Sequence, residues 1–233
     1  MGLQKPQLPR SNQKTTCGRP HRYWEPRVQS NQKTIYGRSL VDPDVQKIFI
    51  DFINKNSGNY LEIGCYEGVT LSGMADSLKE KTIYGIDPFI SDGHLGTKYP
   101  VNDDLPDQRK ALYDNISTRK NIKFFEMTSE KFLKTQDVEK YDISVVFIDG
   151  SHTLDCVLID IDLALKAIGD KRGMVFFDDA HISDVTKAID VFEKRLSAKN
   201  SKKEITYQET FGKGCAPRKY FIIQNRGNNE KRI

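Results

Sequence analysis

Two short segments of this chain combine carboxylates with a histidine, the side chains that bind hard cations and transfer protons. They read IDGSH at residues 148–152 and FDDAH at residues 177–181, and each ends a run of apolar residues. If the two runs are neighbouring parallel strands, their ends share one edge of the sheet and crowd three carboxylates together. Because like charges held close repel, a divalent cation would stabilise this cluster. Carboxylates without thiolates favour Mg²⁺ first, and Mn²⁺ or Ca²⁺ next.

The second of these segments also has a purely structural interpretation. Acidic residues are favoured in the first turn of a helix, so Asp178 and Asp179 could serve as a helix start. That interpretation gives no role to Asp149 or to the histidines. His152 could in turn simply brace its loop.

A glycine-containing turn lies earlier in the chain. Residues 60–68 read YLEIGCYEG and residues 83–87 read IYGID, which predicts a buried strand, a sharp turn, a helix start and a second strand. Gly64 and Gly68 let the backbone turn and lie close to a ligand, where a side chain would block it. Asp87, at the end of the second strand, can accept hydrogen bonds from a ribose diol. The pattern therefore predicts a cofactor that contains a nucleoside.

Strands and helices alternate from residue 42 onwards, at a spacing typical of right-handed crossovers in a parallel sheet. Two further strand-like runs, 204–211 and 219–224, are joined by a segment too short for a helix, so they are predicted to pair as a hairpin. We therefore expect an α/β fold, Rossmann-like and doubly wound, with a mostly parallel seven-stranded sheet and a C-terminal antiparallel hairpin. The predicted parallel strands are 59–63, 82–87, 122–127, 143–148 and 174–177.

The composition is that of an ordinary globular protein. Of 233 residues, 37% are hydrophobic and 29% are charged. With no apolar run near the roughly 20 residues of a membrane span, no secretory signal and four scattered cysteines, we expect a cytoplasmic protein. The net charge of +4 is uneven, because residues 1–38 carry eight basic residues and one acid. We expect residues 1–41 to form a basic arm, partly disordered or acting as a lid, residues 42–224 to form one domain, and residues 225–233 to form a tail.

Five parallel strands followed by a hairpin resemble the class I S-adenosylmethionine-dependent methyltransferases over residues 42–224. The motif ExGxxxG at residues 62–68 is similar to that family's first motif, and Asp87 is similar to its ribose-binding acid. The resemblance implies that the glutamate faces the cofactor near its cationic end and that Ser129 contacts the adenine ring. Thr128 or Ser129 would equally suit a helix cap. The cofactor-binding residues implied by the resemblance are Glu62, Gly64, Cys65, Tyr66, Gly68, Asp87, Ser129 and Asp149.

The segments IDGSH and FDDAH together resemble a subgroup of metal-dependent O-methyltransferases that includes enzymes acting on rhamnose and on macrolide sugars. The resemblance implies Asp149, Asp178 and Asp179 as metal ligands and His181 or His152 as the proton acceptor, with Asp149 among the catalytic residues. A metal that holds the acceptor hydroxyl would lower its pKa. We therefore expect an S-adenosylmethionine-dependent and Mg²⁺-dependent O-methyltransferase that acts on a hydroxyl of a sugar or glycan.

Other functions remain as alternatives. A phenolic or catechol-like small metabolite is the second class of acceptor. A nucleic-acid amino-methyltransferase would carry an Asn/Asp-Pro-Pro-aromatic motif where this chain has residues 149–152, so nucleic acid is not an expected partner. A nicotinamide oxidoreductase is not favoured, because this chain has no Tyr-x-x-x-Lys set near the predicted ligand crevice. A non-catalytic module that binds the cofactor and a partner protein is the alternative from a different class, and formation of a homo-oligomer stays open.

Overall fold

The computed structural model describes residues 41, 43–90, 105–198, 206–210 and 218–223. Nearly all of the predicted basic arm, most of the polar loop over residues 88–103 and the predicted C-terminal tail lie outside the described residues, so the predictions made for them stay predictions. Within the described part of the chain, no helix is both long enough and apolar enough to cross a bilayer.

The described elements alternate between helix and strand, as the sequence predicts. The helices are α1 (Pro43–Asn56), α2 (Val69–Ser77), α3 (Leu105–Ile116), α4 (Ser129–Thr135), α5 (Leu154–Ile168) and α6 (Ser183–Ala198). The strands are β1 (Asn59–Ile63), β2 (Ile83–Ile86), β3 (Ile122–Phe125), β4 (Ile143–Ile148), β5 (Gly173–Phe177), β6 (Thr206–Thr210) and β7 (Arg218–Ile223). A short 3₁₀ helix, Val138–Tyr141, precedes β4 and was not predicted.

The strands form one sheet in the order β3-β2-β1-β4-β5-β7-β6. The first five strands pair in parallel, and β7 runs antiparallel to both β5 and β6. The predicted α/β fold, with a mostly parallel sheet and an antiparallel C-terminal pair, is therefore confirmed. The chain lays down β2 and β3 on one side of β1 and then crosses to place β4 on the other side. A ligand crevice is expected at this switch point, outside the carboxyl ends of β1 and β4.

The core fills both faces of the sheet, which explains why the central strands are continuous apolar runs. Every residue of β4 is buried. Val146 and Ile148 pack on the face covered by α4, α5 and α6, whereas Val145 and Phe147 pack on the face covered by α1 and α2. Phe49 of α1 lies with its ring centre 5.5 Å from that of Phe147. Each such side chain contributes about 1.5–3 kcal/mol to folding when fully buried, so the strand ends are rigidly placed.

Four of the predicted site residues follow directly after strands of this sheet. Gly64 follows β1, Asp87 follows β2, Asp149 follows β4 and Asp178 follows β5. Because these four strands are parallel, the four residues lie along one edge. The fold therefore brings the glycine turn and the two acidic segments to the same side of the molecule.

Candidate functional site

The glycine turn after β1 depends on backbone conformations that side chains rarely adopt. Gly64 has φ +83° and Gly68 has φ +71°, both in the left-handed region. A Cβ atom on Gly64 would collide with the backbone carbonyl of Asp149, so only glycine fits where the turn meets the end of β4. Tyr66, with φ 49°, also adopts this conformation and is partly exposed. The turn therefore brings the predicted cofactor loop into direct contact with the first acidic segment.

The carboxylate of Asp87 holds this turn in place. It accepts hydrogen bonds from the backbone N–H groups of Cys65 at 2.8 Å, Tyr66 at 3.1 Å and Phe89 at 2.7 Å. Burial raises the pKa of Asp87, and the three N–H donors oppose that rise by favouring the charged form. The position of Asp87 beside the loop agrees with the predicted ribose contact, and the contact itself stays a prediction.

Cys65 and Glu62 are buried behind the loop. The Cys65 thiol lies 3.7 Å from the carbonyl oxygens of both Glu62 and Ile86, and burial raises its pKa, so this side chain is not a reactive thiol. Its predicted contact with the cofactor stays a prediction. Glu62 accepts a hydrogen bond from the hydroxyl of Tyr60 at 3.0 Å. Burial raises the pKa of Glu62 to about 8. Its predicted approach to the cationic end of the cofactor stays a prediction.

Of the two polar residues after β3, Thr128 takes the predicted capping role. Thr128 caps α4, because its hydroxyl oxygen accepts a hydrogen bond from the backbone N–H of Lys131 at 3.2 Å. The buried Ser129 makes a side-chain hydrogen bond with Asp160 of α5. Burial raises the pKa of Asp160 to about 7. A Cβ atom on Gly150 would lie 3.5 Å from this carboxyl, so Asp160 sits beneath the loop that follows β4.

Asp160 was missed by the sequence analysis. A single aspartate in the middle of an amphipathic helix resembles an ordinary solvent-facing residue, and no motif marks it. Ser129, which bonds to Asp160, lies at the end of the sheet where the adenine contact is expected. That contact stays a prediction.

Three side chains converge at the edge of the sheet that carries residues 148–152 and 177–181, called the acidic edge below. One ligand atom each from Asp149, His152 and Asp179 lies within 4.8 Å of the others. The Nε2 atom of His152 is 3.1 Å from Oδ2 of Asp179, and Nδ1 of His181 is 3.7 Å from Oδ1 of the same carboxylate. Asp179 has φ 48°, a conformation that aspartate tolerates better than most residues and that marks a structurally constrained site. The predicted meeting of the two acidic segments is therefore observed.

The pKa values of Asp149 and Asp179 shift in opposite directions. The hydrogen bond from His152 is the main reason why the pKa of Asp179 is lowered. The pKa of Asp149 is raised well above its ordinary value by burial first and then by the nearby charges of Asp178 and Asp179. A cation at this edge would relieve the repulsion on Asp149.

The predicted metal ligand Asp178 is engaged elsewhere. Its Oδ1 atom accepts a hydrogen bond from Nε of Arg218 at 2.5 Å, and its Oδ2 atom lies 3.3 Å from Nη2 of the same guanidinium. The converging group contains His152 and not Asp178, and the predicted binding of a metal by Asp149, Asp178 and Asp179 stays a prediction. Arg218 was missed because the sequence predicts that the last strand begins at Lys219, one residue later.

The donor atoms of Asp149, His152 and Asp179 fit a divalent cation. Two carboxylate oxygens and an imidazole nitrogen suit Mn²⁺ better than the purely oxygen-seeking Mg²⁺ and Ca²⁺, because imidazole is the softer ligand. With three protein donors, the coordination sphere would keep positions for water or for an acceptor hydroxyl.

Comparisons with known proteins agree with this geometry. A family model described as a methyltransferase domain matches residues 61–180, a segment that contains the glycine turn and both acidic segments. An uncharacterized protein, R132, of Acanthamoeba polyphaga mimivirus is 30% identical over 125 residues, which are 54% of this chain and 52% of that protein. The chain thus spans about half the length of this relative.

Solved structures share the fold at low sequence identity. An O-methyltransferase from Bacillus cereus in complex with SAH has a TM-score of 0.59 and 16% identity, covering 79% of this chain and 82% of that one. The O-methyltransferase TomG from Streptomyces achromogenes, involved in tomaymycin synthesis and solved in complex with SAM, has a TM-score of 0.56 and 15% identity, covering 79% and 81%. These likenesses establish the fold, and the family match spans more than half of the sequence. The chain therefore belongs to the methyltransferase domain family.

Proposed function

We propose that this protein is an S-adenosylmethionine-dependent O-methyltransferase that methylates a hydroxyl group of a sugar or glycan. The observation that carries the proposal is the contact between Gly64 and the backbone of Asp149, because it joins the cofactor loop and the acidic edge into one site. The solved neighbours, two of which bind SAM or SAH, support the choice of cofactor.

The proposed reaction is an in-line transfer. The acceptor oxygen forms a bond to the methyl carbon of S-adenosylmethionine, the carbon–sulfur bond breaks with its electron pair going to sulfur, and the hydroxyl proton goes to a histidine. Near neutral pH an imidazole is the side chain best suited to accept that proton. Positioning of the two substrates supplies much of the remaining acceleration.

The residues of the acidic edge have distinct proposed roles. Asp149, His152 and Asp179 would hold a divalent cation. Such a cation would lower the pKa of a hydroxyl bound to it. With His152 in that donor set, His181 is the imidazole left to accept the proton. Its side chain is 47% exposed and therefore accessible to an acceptor, and its Nδ1 atom lies 3.7 Å from Asp179.

A specific observation favours a second mechanism for the same activity. Nε2 of His152 and Oδ2 of Asp179 are 3.1 Å apart, a distance at which a carboxylate can orient a histidine for general base catalysis. In that mechanism no cation is needed, His152 accepts the proton, and Asp179 stabilises its charged form.

The acceptor is proposed from chemistry. A vicinal diol can bind one cation through two oxygens, which sugars and catechols both offer. The sugar or glycan hydroxyl is favoured by the sequence resemblance, and a phenolic or catechol-like metabolite is the other candidate class.

Titration calorimetry with S-adenosylmethionine and its demethylated product tests the proposal first. Each titration is run with Mn²⁺, with Mg²⁺ and with EDTA, and is followed by transfer of labelled methyl groups to panels of sugars and phenols. Micromolar binding and labelled product support the proposal, and dependence on cation separates the two mechanisms. Binding without transfer to any hydroxyl compound would favour a non-catalytic module, and absence of binding would overturn the proposal.

A further inference from the structure

Arg218 pairs with Asp178, one of the three carboxylates that the sequence predicts a cation would neutralise. The register of β5 and β7 pairs Phe177 with Lys219, so the next residues on each strand, Asp178 and Arg218, are brought opposite each other. Their side chains are only 7% and 5% exposed, and the guanidinium contacts both carboxylate oxygens. We propose that Arg218 keeps Asp178 from binding a cation and thereby sets how tightly the acidic edge binds a divalent cation.

The bidentate contact between Arg218 and Asp178 holds this carboxylate firmly. A planar guanidinium matches the two oxygens of a carboxylate, and it keeps its charge at any relevant pH. A carboxylate that is buried and paired in this way is released only by removing its partner, which would leave an uncompensated charge in the interior. Both oxygens of Asp178 are therefore engaged while Arg218 is present.

Arg218 also acts on the other carboxylates of the edge. Its guanidinium interacts electrostatically with Asp149 and Asp179. A cation that binds Asp149, His152 and Asp179 therefore meets two carboxylates and a fixed positive charge nearby. Without Arg218 it would meet three carboxylates and no repulsion, so its affinity would rise.

A purely structural role is the competing explanation. Arg218 joins the start of β7 to the end of β5, and this ion pair could serve only to fix the C-terminal strands against the parallel sheet. In that case its removal would lower stability without changing the affinity for a cation. Affinity and stability must therefore be measured on the same variants.

The experiment compares Mn²⁺ binding to the full chain and to three variants by calorimetry and electron paramagnetic resonance. Arg218→Met is expected to bind Mn²⁺ about tenfold more tightly or better, which corresponds to one additional favourable charge contact. The double variant Arg218→Met with Asp178→Asn should return close to the affinity of the unmodified protein, because the released carboxylate is gone. Mn²⁺ should also raise the melting temperature of Arg218→Met more than that of the unmodified protein.

Arg195→Met is the matched control, since Arg195 forms an exposed ion pair with Asp162 at 2.7 Å on another part of the surface. If Arg218→Met fails to fold, Arg218→Lys keeps the charge but loses the fork, and a smaller gain in Mn²⁺ affinity is expected. Unchanged affinity in the folded variant, or a gain that persists in the double variant, overturns the proposal.

This inference rests on the proposed function only in treating the acidic edge as a cation site. Its test measures Mn²⁺ affinity and does not involve S-adenosylmethionine or methyl transfer. A failure here therefore leaves the methyltransferase proposal standing, whereas absence of S-adenosylmethionine binding would not affect the Mn²⁺ comparison.

Discussion

The carboxylate of Asp87 and the backbone N–H of Cys65 are joined by a hydrogen bond of 2.8 Å across the glycine turn. The acid predicted to bind a ribose thus also shapes the loop on which the rest of the cofactor would lie. One side chain therefore couples the end of β2 to the turn after β1, and loop geometry and ligand binding should respond together to its removal.

Replacement of Asp87 by alanine is expected to weaken binding of the demethylated cofactor by about tenfold or more, because charged hydrogen bonds of this kind contribute about 1.5–3 kcal/mol. Calorimetric titration measures the loss. Asp114→Ala is the control, since Asp114 is exposed on α3 and pairs with Lys110 at 2.6 Å. Equal affinities for Asp87→Ala and the unmodified protein would remove Asp87 from the cofactor site.

Glycine at position 64 is required for two separate reasons, and a matched pair of variants separates them. Gly64 and Gly169 both have positive φ, but only at Gly64 would a Cβ collide with backbone, since the nearest atom at Gly169 is 3.9 Å away. Gly169→Ala should cost about 1–3 kcal/mol of stability from backbone strain alone. Gly64→Ala should cost more and should also weaken cofactor binding, because the turn must move away from Asp149. Urea unfolding measures both costs, and equal losses would contradict the steric argument.

The placement of the site could be predicted because it depends on strong local signals. Gly64, Asp87, Asp149 and Asp178 each follow a run of apolar residues, and such runs become buried parallel strands whose ends share an edge. No long-range information is needed beyond the right-handed connection rule.

Two features could not be predicted, for different physical reasons. The ion pair of Asp178 with Arg218 depends on the register between β5 and β7, and a shift of a single residue would put Arg218 on the opposite face of the sheet. Asp160 depends on which side of α5 meets the loop after β4, and a lone acid does not reveal that in a helical pattern. Tertiary contacts decide both.

The buried Glu62 should make stability depend on pH. Its pKa in the folded protein is about 8, against an ordinary value of 4.5, so between these values the folded state holds a proton that the unfolded chain has released. Stability contributed by this proton is complete below about pH 4.5 and is lost as the pH rises through about 8, with a slope of up to ~1.4 kcal/mol per pH unit. Asp160, with a pKa of about 7, adds an effect of the same sign.

Glu62→Gln should therefore flatten this dependence and should gain stability relative to the unmodified protein as the pH rises. Urea unfolding at about pH 5, 7 and 9 measures the change. Glu130→Gln is the control, because Glu130 is exposed on α4 and pairs with Lys134. Parallel pH profiles for Glu62→Gln and the unmodified protein would show that Glu62 is ionised in the folded state.

Asp179 is the residue on which both proposed mechanisms converge, because it contacts both histidines and belongs to the converging donor group. Asp179→Ala is expected to lower turnover by about 10²-fold or more, the scale of losing an oriented acid–base group, and to abolish any stimulation by Mn²⁺. Cofactor affinity should be nearly unchanged, because the Asp179 carboxylate pairs with His152 and His181, whereas Asp87 holds the glycine turn. Steady-state turnover with and without EDTA, together with calorimetry, separates the two effects. A parallel loss of turnover and cofactor affinity would mean that the acidic edge serves the fold rather than the reaction.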